Sequence, residues 1–387
     1  MVADPATRRE RLQKDANMKP ALMLACSLLV LTSCASRPKA PLFAAPSLAR
    51  MAIVSAADDD GTPLGDPPPV RQVGKRHDVL LLSGGGSLGA FGAGVLVGWS
   101  QAGTRPQFDV VTGISTGALM ATLAFLGPAH DADLARAYVE TSRKDVMKRR
   151  GVVGFAKNAS LYDRGPLERM IAAMITEKLL DDVAAAHRAG RRLYVGTTNL
   201  DNGVGTVWDM GRIASSRDPN RVLLYRQILA ASAAIPGLFS PVYISQSDGP
   251  PTMHVDGGIK QALLFRSYMV DPRGSNEHVW TIVNGKVSFV GNRALSGTNA
   301  GSIIGRSVNE MLRTISYRSV GRVYTMTRNA GAAYHLAYLP DEEVEPSPIS
   351  FEPVEMQRLF AIGRSIGTSG QWQAAPPRIE RYERMPG

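Results

Sequence analysis

Short runs of consecutive apolar residues alternate along this chain with longer apolar stretches. The runs at 78–82 and 108–112 each end at a glycine-containing segment, which is typical of strands that are buried on both faces. The stretches that follow them, at 91–101 and 118–126, have the length and apolar content of helices. This strand–helix–strand–helix order predicts an α/β fold with a central, mostly parallel sheet and helices on both of its faces.

The remainder of the chain continues the same pattern. The sequence predicts further strands at 192–197, 205–208, 253–255 and 280–283, with a hairpin turn at 201–203, and further helices at 223–234, 302–316 and 355–366. Pro236 ends the first of these helices because proline has no backbone N–H to donate. Neither an internal repeat nor a second linker divides residues 76–375, so we predict one domain there and a short tail at 376–387.

The amino terminus has the pattern of an export signal. Five basic residues precede the apolar run at 21–31, which is shorter than the ~20 residues that a transmembrane helix needs. We therefore predict a signal peptide over 1–33, or over a shorter segment if translation starts at Met18. The Leu-Thr-Ser-Cys sequence that ends at Cys34 resembles the lipobox of bacterial lipoproteins, which implies a lipid on Cys34. An ordinary signal peptide with a chance cysteine is the alternative.

Residue Ala35 favours one localisation within the envelope. By resemblance to enterobacterial lipoproteins, the absence of Asp at this position implies the outer membrane, and a periplasmic or secreted protein is the alternative. Residues 34–75 are rich in Ala, Pro, Asp and Gly without a sustained apolar period, so we expect a lipidated cysteine followed by a flexible tether.

Composition excludes several classes of function. Two cysteines cannot form a disulfide framework or a cysteine-rich metal site. The net charge of +10 falls to +8 without residues 1–33, which hold five basic and three acidic residues. Because the chain is exported and has no dense Lys/Arg run, we expect no nucleic-acid partner. An anionic lipid surface is a partner that suits this positive charge, above all the basic segment at 143–150. The alternative is that these basic residues only face water.

The first motif that indicates chemistry is Gly113-Ile114-Ser115-Thr116-Gly117. It lies directly after a predicted buried strand and before a predicted helix. A serine on such a turn is lifted clear of the sheet, and the flanking glycines permit the tight backbone. The start of the following helix favours a developing negative charge. Ser115 is therefore a candidate nucleophile, and a serine that caps the helix is the alternative.

The second motif is a glycine loop after the first predicted strand, containing Gly84, Gly85, Gly86 and Gly89. Consecutive glycines at the start of a helix expose backbone N–H groups, which can stabilise the oxyanion of an acyl-transfer reaction. The same glycines satisfy the G-x-G-x-x-G dinucleotide pattern, which needs an acidic residue at the end of the next strand. The nearest candidate, Asp109, lies at the start of that strand, so the dinucleotide interpretation is disfavoured.

The third motif is Asp256-Gly257-Gly258, which follows the strand predicted at 253–255. The two glycines would let the carboxylate approach another loop closely. Taken alone, however, an Asp-Gly-Gly sequence is more typical of a simple Asx turn.

In their order and context, the three motifs resemble the patatin-like phospholipases, a family of serine acyl hydrolases. The segment at 231–241 is also similar to the part of that family ahead of its aspartate, and the resemblance covers about 76–290. It implies a three-layer α/β/α fold and a Ser–Asp dyad of Ser115 and Asp256, with no metal and no cofactor. It further implies backbone donors at the glycine loop and hydrolysis of fatty acyl esters of phospholipids or lysophospholipids through an acyl-enzyme.

Two alternative functions remain open at this point. The family usually has Arg or Lys at the position of Leu88, so this chain could be a non-catalytic, lipid-binding envelope lipoprotein. A carboxylesterase with the α/β-hydrolase fold would need a histidine late in the chain, and His335 is the candidate. His335 alternates with apolar residues as a strand residue does, so we expect it to be structural. We expect the same of His254, although it lies close to Asp256 in sequence.

Overall fold

The computed structural model of the chain describes residues 45–55, 75–151, 160–246, 250–270, 276–288 and 300–377, with side chains from residue 310 in the last range. The predicted signal peptide, Cys34 and all but the first two residues of the predicted tail at 376–387 lie outside these residues.

The described residues form strands and α-helices in alternation. The strands are β1 (Ile53–Ser55), β2 (His77–Leu82), β3 (Val110–Ile114), β4 (Lys148–Arg149), β5 (Tyr162–Asp163), β6 (Arg192–Asn199), β7 (Val204–Asp209), β8 (Val242–Ile244), β9 (Thr252–Asp256), β10 (Glu277–Val283) and β11 (Ala333–Tyr338). The helices are α1 (Pro46–Ala52), α2 (Gly89–Gln101), α3 (Thr116–Leu126), α4 (Asp131–Val139), α5 (Arg143–Val146), α6 (Gly165–Met174), α7 (Glu177–Arg188), α8 (Met210–Ser215), α9 (Arg221–Ser232), α10 (Ala300–Asn329) and α11 (Pro353–Ser369).

The central sheet has a parallel half and an antiparallel half. Strands β6, β3, β2, β10 and β11 are neighbours in that order, and every pair among them is parallel. Strand β7 and then β1 extend the sheet beyond β6 with antiparallel pairing, and β9 also pairs with β6 and carries β8. Strands β4 and β5 form a separate antiparallel pair. The prediction of an α/β fold with a mostly parallel sheet is confirmed.

The sheet is buried on both faces, as its apolar strands predict. Leu80 and Leu82 of β2 point into one apolar cluster, which packs under α2, α3 and most of the other helices. The alternate residues, Val79 and Leu81, point into a second cluster that Val320 of α10 helps to cover. Each side chain of β2 and β3 is therefore shielded from water, which is why most residues of these strands are apolar. Together the two clusters produce the three-layer α/β/α arrangement.

One segment of the predicted tether is folded onto the domain. Leu48, Ala49 and Ala52 of α1 are buried, and β1 pairs with the edge strand β7. The prediction of a flexible tether over 34–75 is therefore wrong for residues 45–55. The segment is too short to show a period in sequence, and its strand exists only because β7 offers an unpaired edge.

Helix boundaries differ from the predictions mainly in α10. It covers Ala300–Asn329, whereas the sequence predicted 302–316, because polar residues interrupt its apolar face after that point. Within the part of the chain that the structure describes, no helix is both long and apolar enough to cross a bilayer.

Candidate active site

The three predicted motifs meet at one edge of the sheet. The glycine loop follows β2, Ser115 follows β3, and Asp256 is the last residue of β9. Strands β2 and β3 are parallel neighbours, so their carboxyl ends carry the first two motifs to the same edge. Strand β9 runs antiparallel to β6 but pairs Asp256 with Thr197, near the carboxyl end of β6, which brings the carboxylate to that edge too.

Ser115 lies on a sharp turn between β3 and α3. Its φ angle is +56°, in the left-handed region that serine rarely adopts. The turn is possible because Gly113 and Gly117 pack without side chains: a Cβ on Gly113 would collide with the Gly117 backbone, and one on Gly117 with the Leu82 carbonyl oxygen. Such strain at a nucleophilic serine is typical of serine hydrolases. The start of α3, where the unpaired N–H groups of the helix lie, directly follows the serine.

The Asp256 carboxylate is buried, and the Ser115 side chain, which is buried as well, is near enough to act on its pKa. It also accepts the N–H of Gly258 at 2.7 Å, which is the geometry of the Asx turn that the sequence left as an alternative. Burial raises the pKa of Asp256 from 3.8 to about 6, and the Ser115 side chain and the Gly258 N–H oppose that rise. A carboxylate with such a pKa can accept a proton near neutral pH. Gly257 packs against the Gly196 carbonyl oxygen, where a Cβ would lie at 2.7 Å.

The glycine loop packs against the turn that holds Ser115. A Cβ on Gly84 would lie 3.2 Å from the Cβ of Ser115, and Gly85 and Gly86 both have positive φ angles, +149° and +57°. Among the described residues, the backbone N–H groups of Gly84 and Gly85 have no hydrogen-bond acceptor. They are available to an oxyanion formed next to Ser115. Gly89 starts α2 and packs against Thr116, which fixes this loop on the serine turn.

Ser232 holds the serine turn in place, a role that sequence reasoning did not find. Its buried hydroxyl accepts the backbone N–H of Ser115 at 3.0 Å and donates to the Gly196 carbonyl at 2.7 Å. Two residues later, the Ala234 carbonyl accepts the backbone N–H of Asp256 at 3.0 Å. The segment at 231–241 therefore binds the backbones of both candidate catalytic residues. Its similarity to the family segment was the available signal.

Asn284 supports the glycine loop from behind and was also missed. Its backbone N–H donates to the Ser83 hydroxyl at 2.8 Å, and its side-chain amide donates to the Ser83 carbonyl at 2.7 Å. Its Oδ1 accepts the N–H of Gly92 at 3.1 Å. Asn284 directly follows β10, the parallel neighbour of β2, so its position at the carboxyl end of a parallel strand was the signal in sequence.

A cavity of about 650 Å³ opens from Ser115 into the helical layer. Apolar side chains from α3, α6 and the segment after α9 form much of its wall; they include Leu119, Leu123, Met170, Met174, Ile235 and Phe239. Such a volume lies within the ~300–1,000 Å³ range of ligand pockets. The apolar wall, with the candidate nucleophile at one end, fits a fatty acyl chain.

Neither His335 nor His254 completes a triad with Ser115. His335 is on β11, three strands from β3, and parallel strands lie ~4.8 Å apart, so at least ~14 Å separates the two residues. There it stacks on Trp280 with ring centroids 3.6 Å apart. His254 is buried and hydrogen-bonded to Thr197 at 3.0 Å, as expected of a core residue, and burial lowers its pKa to about 4. The position of His335 removes the basis for the α/β-hydrolase alternative.

The side chain of Leu88 belongs to the core and is not among the residues that line the cavity. The position that is usually basic in the patatin-like phospholipases therefore does not face the cavity in this chain.

Asp109, the candidate acid of a dinucleotide site, lies at the amino end of the sheet, away from the glycine loop. There its carboxylate accepts the N–H of Asp78 at 2.9 Å. Within the described residues, Asp109 therefore cannot serve the glycine loop as a dinucleotide site requires. Nowhere in the described ranges do three or more His, Cys, Asp or Glu side chains cluster as metal ligands.

Comparisons with known proteins agree with the motifs. Residues 80–267 match the family model of the patatin-like phospholipases. No curated protein sequence matches the chain. Among solved structures, VipD from Legionella pneumophila is similar with a TM-score of 0.39 and 13% identity, over 77% of this chain and 67% of that one. The type III effector protein ExoU is similar with a TM-score of 0.31 and 14% identity, over 76% and 52%. This chain thus spans about two thirds of the first structure and about half of the second.

Proposed function

Because residues 80–267 match the family model of the patatin-like phospholipases, which supports a lipid acyl hydrolase activity in general, we propose that this chain hydrolyses fatty acyl esters of phospholipids or lysophospholipids through a dyad of Ser115 and Asp256. The single observation that carries the proposal is the buried Asp256 carboxylate, whose pKa the Ser115 side chain lowers, beside backbone N–H groups of Gly84 and Gly85 that have no acceptor among the described residues.

In the first half of the proposed reaction, Ser115 Oγ attacks the ester carbonyl carbon while its proton moves to the Asp256 carboxylate. The carbonyl oxygen becomes an oxyanion, and the N–H groups of Gly84 and Gly85 donate hydrogen bonds to it. When this tetrahedral intermediate collapses, the bond to the alcohol oxygen breaks. Asp256 gives its proton to that oxygen, and the alcohol leaves while the acyl group stays on Ser115.

In the second half, Asp256 accepts a proton from water as the water oxygen attacks the acyl-enzyme. The same N–H groups stabilise the second oxyanion. Collapse returns the proton to Ser115 Oγ and releases the fatty acid. The cycle consumes one water for each ester bond, and the carboxylate performs each proton transfer without a histidine.

The cavity supports a substrate with a long acyl chain. Its apolar wall can remove a hydrocarbon chain from water, at a gain of ~0.8 kcal/mol for each buried CH₂ group. Because Ser115 lies in the wall of the same cavity, a chain bound there would present its ester group to the nucleophile.

Product analysis with defined lipids tests the proposed function. We expect the full chain to convert phosphatidylcholine with two different acyl chains into a free fatty acid and lysophosphatidylcholine, measured by mass spectrometry. Release of phosphocholine or diacylglycerol would contradict the proposal, because those products require cleavage of a phosphodiester bond. Lipid binding without any turnover would favour the non-catalytic lipoprotein.

The rate should depend on the ionisation of Asp256. The carboxylate must be deprotonated to act as base, so kcat/KM for a soluble ester should fall about tenfold for each pH unit below 6 and level off above it. The midpoint of this pH profile lies above the pKa of an ordinary Asp because burial disfavours the charged form of Asp256. A midpoint near 4 would show an unburied carboxylate, and a midpoint at or above 7 would indicate a different base.

We also propose that the mature protein is held in the bacterial envelope by a lipid on Cys34, most simply at the outer membrane. The basic, apolar and small-residue pattern before Cys34 supports this localisation.

A further inference from the structure

The segment that forms one wall of the acyl cavity also carries an exposed group of cations. Val146 and Met147 are buried and line the cavity. Four exposed basic residues lie on either side of this pair, with Asp145 between the first two and Val146: Arg143, Lys144, Lys148 and Arg149. We call these four residues the basic rim. A cavity wall and a positively charged surface thus occupy one stretch of chain.

The basic rim is held in a defined position. Strand β4, which contains Lys148 and Arg149, pairs with β5, and the Arg143 guanidinium donates to the Tyr162 hydroxyl of β5 at 3.1 Å. Lys144 of the rim and Asp145 attract each other electrostatically, but among the described residues no salt bridge joins the rim to a carboxylate. The nearby acid Asp145 accepts the N–H and O–H of Ser142 instead. Segment 143–150 contains five basic residues and one acidic residue, so its net charge is +4.

An exposed apolar side chain lies beside the strand pair of β4 and β5. Leu161 is 45% exposed, and its backbone N–H donates to the Gly237 carbonyl at 3.0 Å. Gly237 belongs to the segment that supplies Ile235 and Phe239 to the cavity wall. A leucine next to a group of cations suits the boundary of a bilayer, where apolar side chains enter the lipid and cations face the headgroups.

We propose that the basic rim, together with Leu161, docks the domain on an anionic lipid surface, so that a lipid moves from the bilayer into the cavity. This proposal rests on the proposed function for the identity of the substrate. The occupant is a bilayer because the rim is continuous with the acyl cavity and complements negative headgroups. A protein partner would explain the cations but not their place on either side of two residues of the cavity wall.

The test measures binding without turnover. The full chain with Cys34→Ser, which removes the lipid attachment, and Ser115→Ala, which prevents hydrolysis, is sedimented with vesicles of phosphatidylcholine or of equimolar phosphatidylcholine and phosphatidylglycerol. We expect binding to the anionic vesicles that weakens with salt, and little binding to the neutral ones. Removing one basic residue near such a surface lowers the affinity for it about fivefold. The double variant Lys148→Gln with Arg149→Gln should therefore bind the anionic vesicles about 25-fold more weakly.

A matched pair separates docking from net charge. Arg188→Gln with Arg328→Gln removes the same charge from exposed residues that precede β6 and β11, at the opposite edge of the sheet. We expect this pair to bind anionic vesicles within about twofold of the parent. Equal losses in both pairs, or equal binding to both kinds of vesicle, would overturn the proposal. Unchanged thermal unfolding midpoints verify that each variant is folded. Because no turnover is measured, the result is independent of the product analysis.

Discussion

Replacing Ser115 by alanine is expected to lower the rate of ester hydrolysis by about 10⁴-fold or more, because it removes the hydroxyl that is proposed to attack the ester. Removal of one atom leaves the backbone hydrogen bond from residue 115 to Ser232 intact, so the fold should persist. Fatty acid release from a defined phospholipid measures the loss, and circular dichroism verifies the fold.

A matched serine separates this loss from a general effect of the substitution. Ser100 lies in the last turn of α2, at the opposite end of that helix from the glycine loop, and its hydroxyl contacts Leu96 and Arg105. Ser100→Ala should hydrolyse the same lipid at the parent rate. Substantial activity in Ser115→Ala would instead show that the nucleophile is a different residue or an activated water.

The second large effect is expected for Asp256→Asn, which keeps the shape of the side chain but removes the base. The rate should fall by about 10³-fold or more, because proton transfer in both halves of the reaction depends on this carboxylate. Loss of stability is not expected: burial disfavours the charged carboxylate in the parent protein, and asparagine can still accept the Gly258 N–H. Hydrolysis of a soluble ester and thermal unfolding distinguish the two effects.

Asp209 provides the control for that change. It is buried as well, and it caps α8 by accepting the N–H of Arg212 at 2.9 Å. Because β7 runs antiparallel to β6, Asp209 lies at the edge of the sheet opposite Asp256. Asp209→Asn should therefore keep the parent rate. If Asp256→Asn also retained the parent rate, Asp256 would be a structural turn residue only.

The parts of the site that sequence could predict are those encoded locally. Gly113-Ile114-Ser115-Thr116-Gly117 and the glycine loop lie directly after strands whose apolar runs are unmistakable, so their position at the carboxyl edge of a parallel sheet followed from the strand order. Asp256 was harder because β9 is short and antiparallel to its neighbour, and its assignment depended on the resemblance to the family.

What could not be predicted depends on contacts between distant residues. Ser232 is 117 residues from Ser115, and Asn284 is 201 residues from Ser83, so nothing in either local sequence specifies its partner. The direction of the Leu88 side chain could not be predicted for the same reason. The sequence of a glycine loop does not reveal whether its one large side chain faces the cavity or the core. Helix α1 and β1 were missed because their stability comes from packing on β7 and α8, not from their own composition.

The claim on which all of this depends is that Ser115 is a nucleophile that Asp256 activates. The most direct measurement is peptide mapping by mass spectrometry after reaction with a fluorophosphonate, which is attacked as an ester carbonyl is. We expect the phosphonyl group on Ser115 in the parent protein, and a labelling rate lower by about 10²-fold or more in Asp256→Asn. Labelling at any other residue, or equal labelling rates in the two proteins, would contradict the claim.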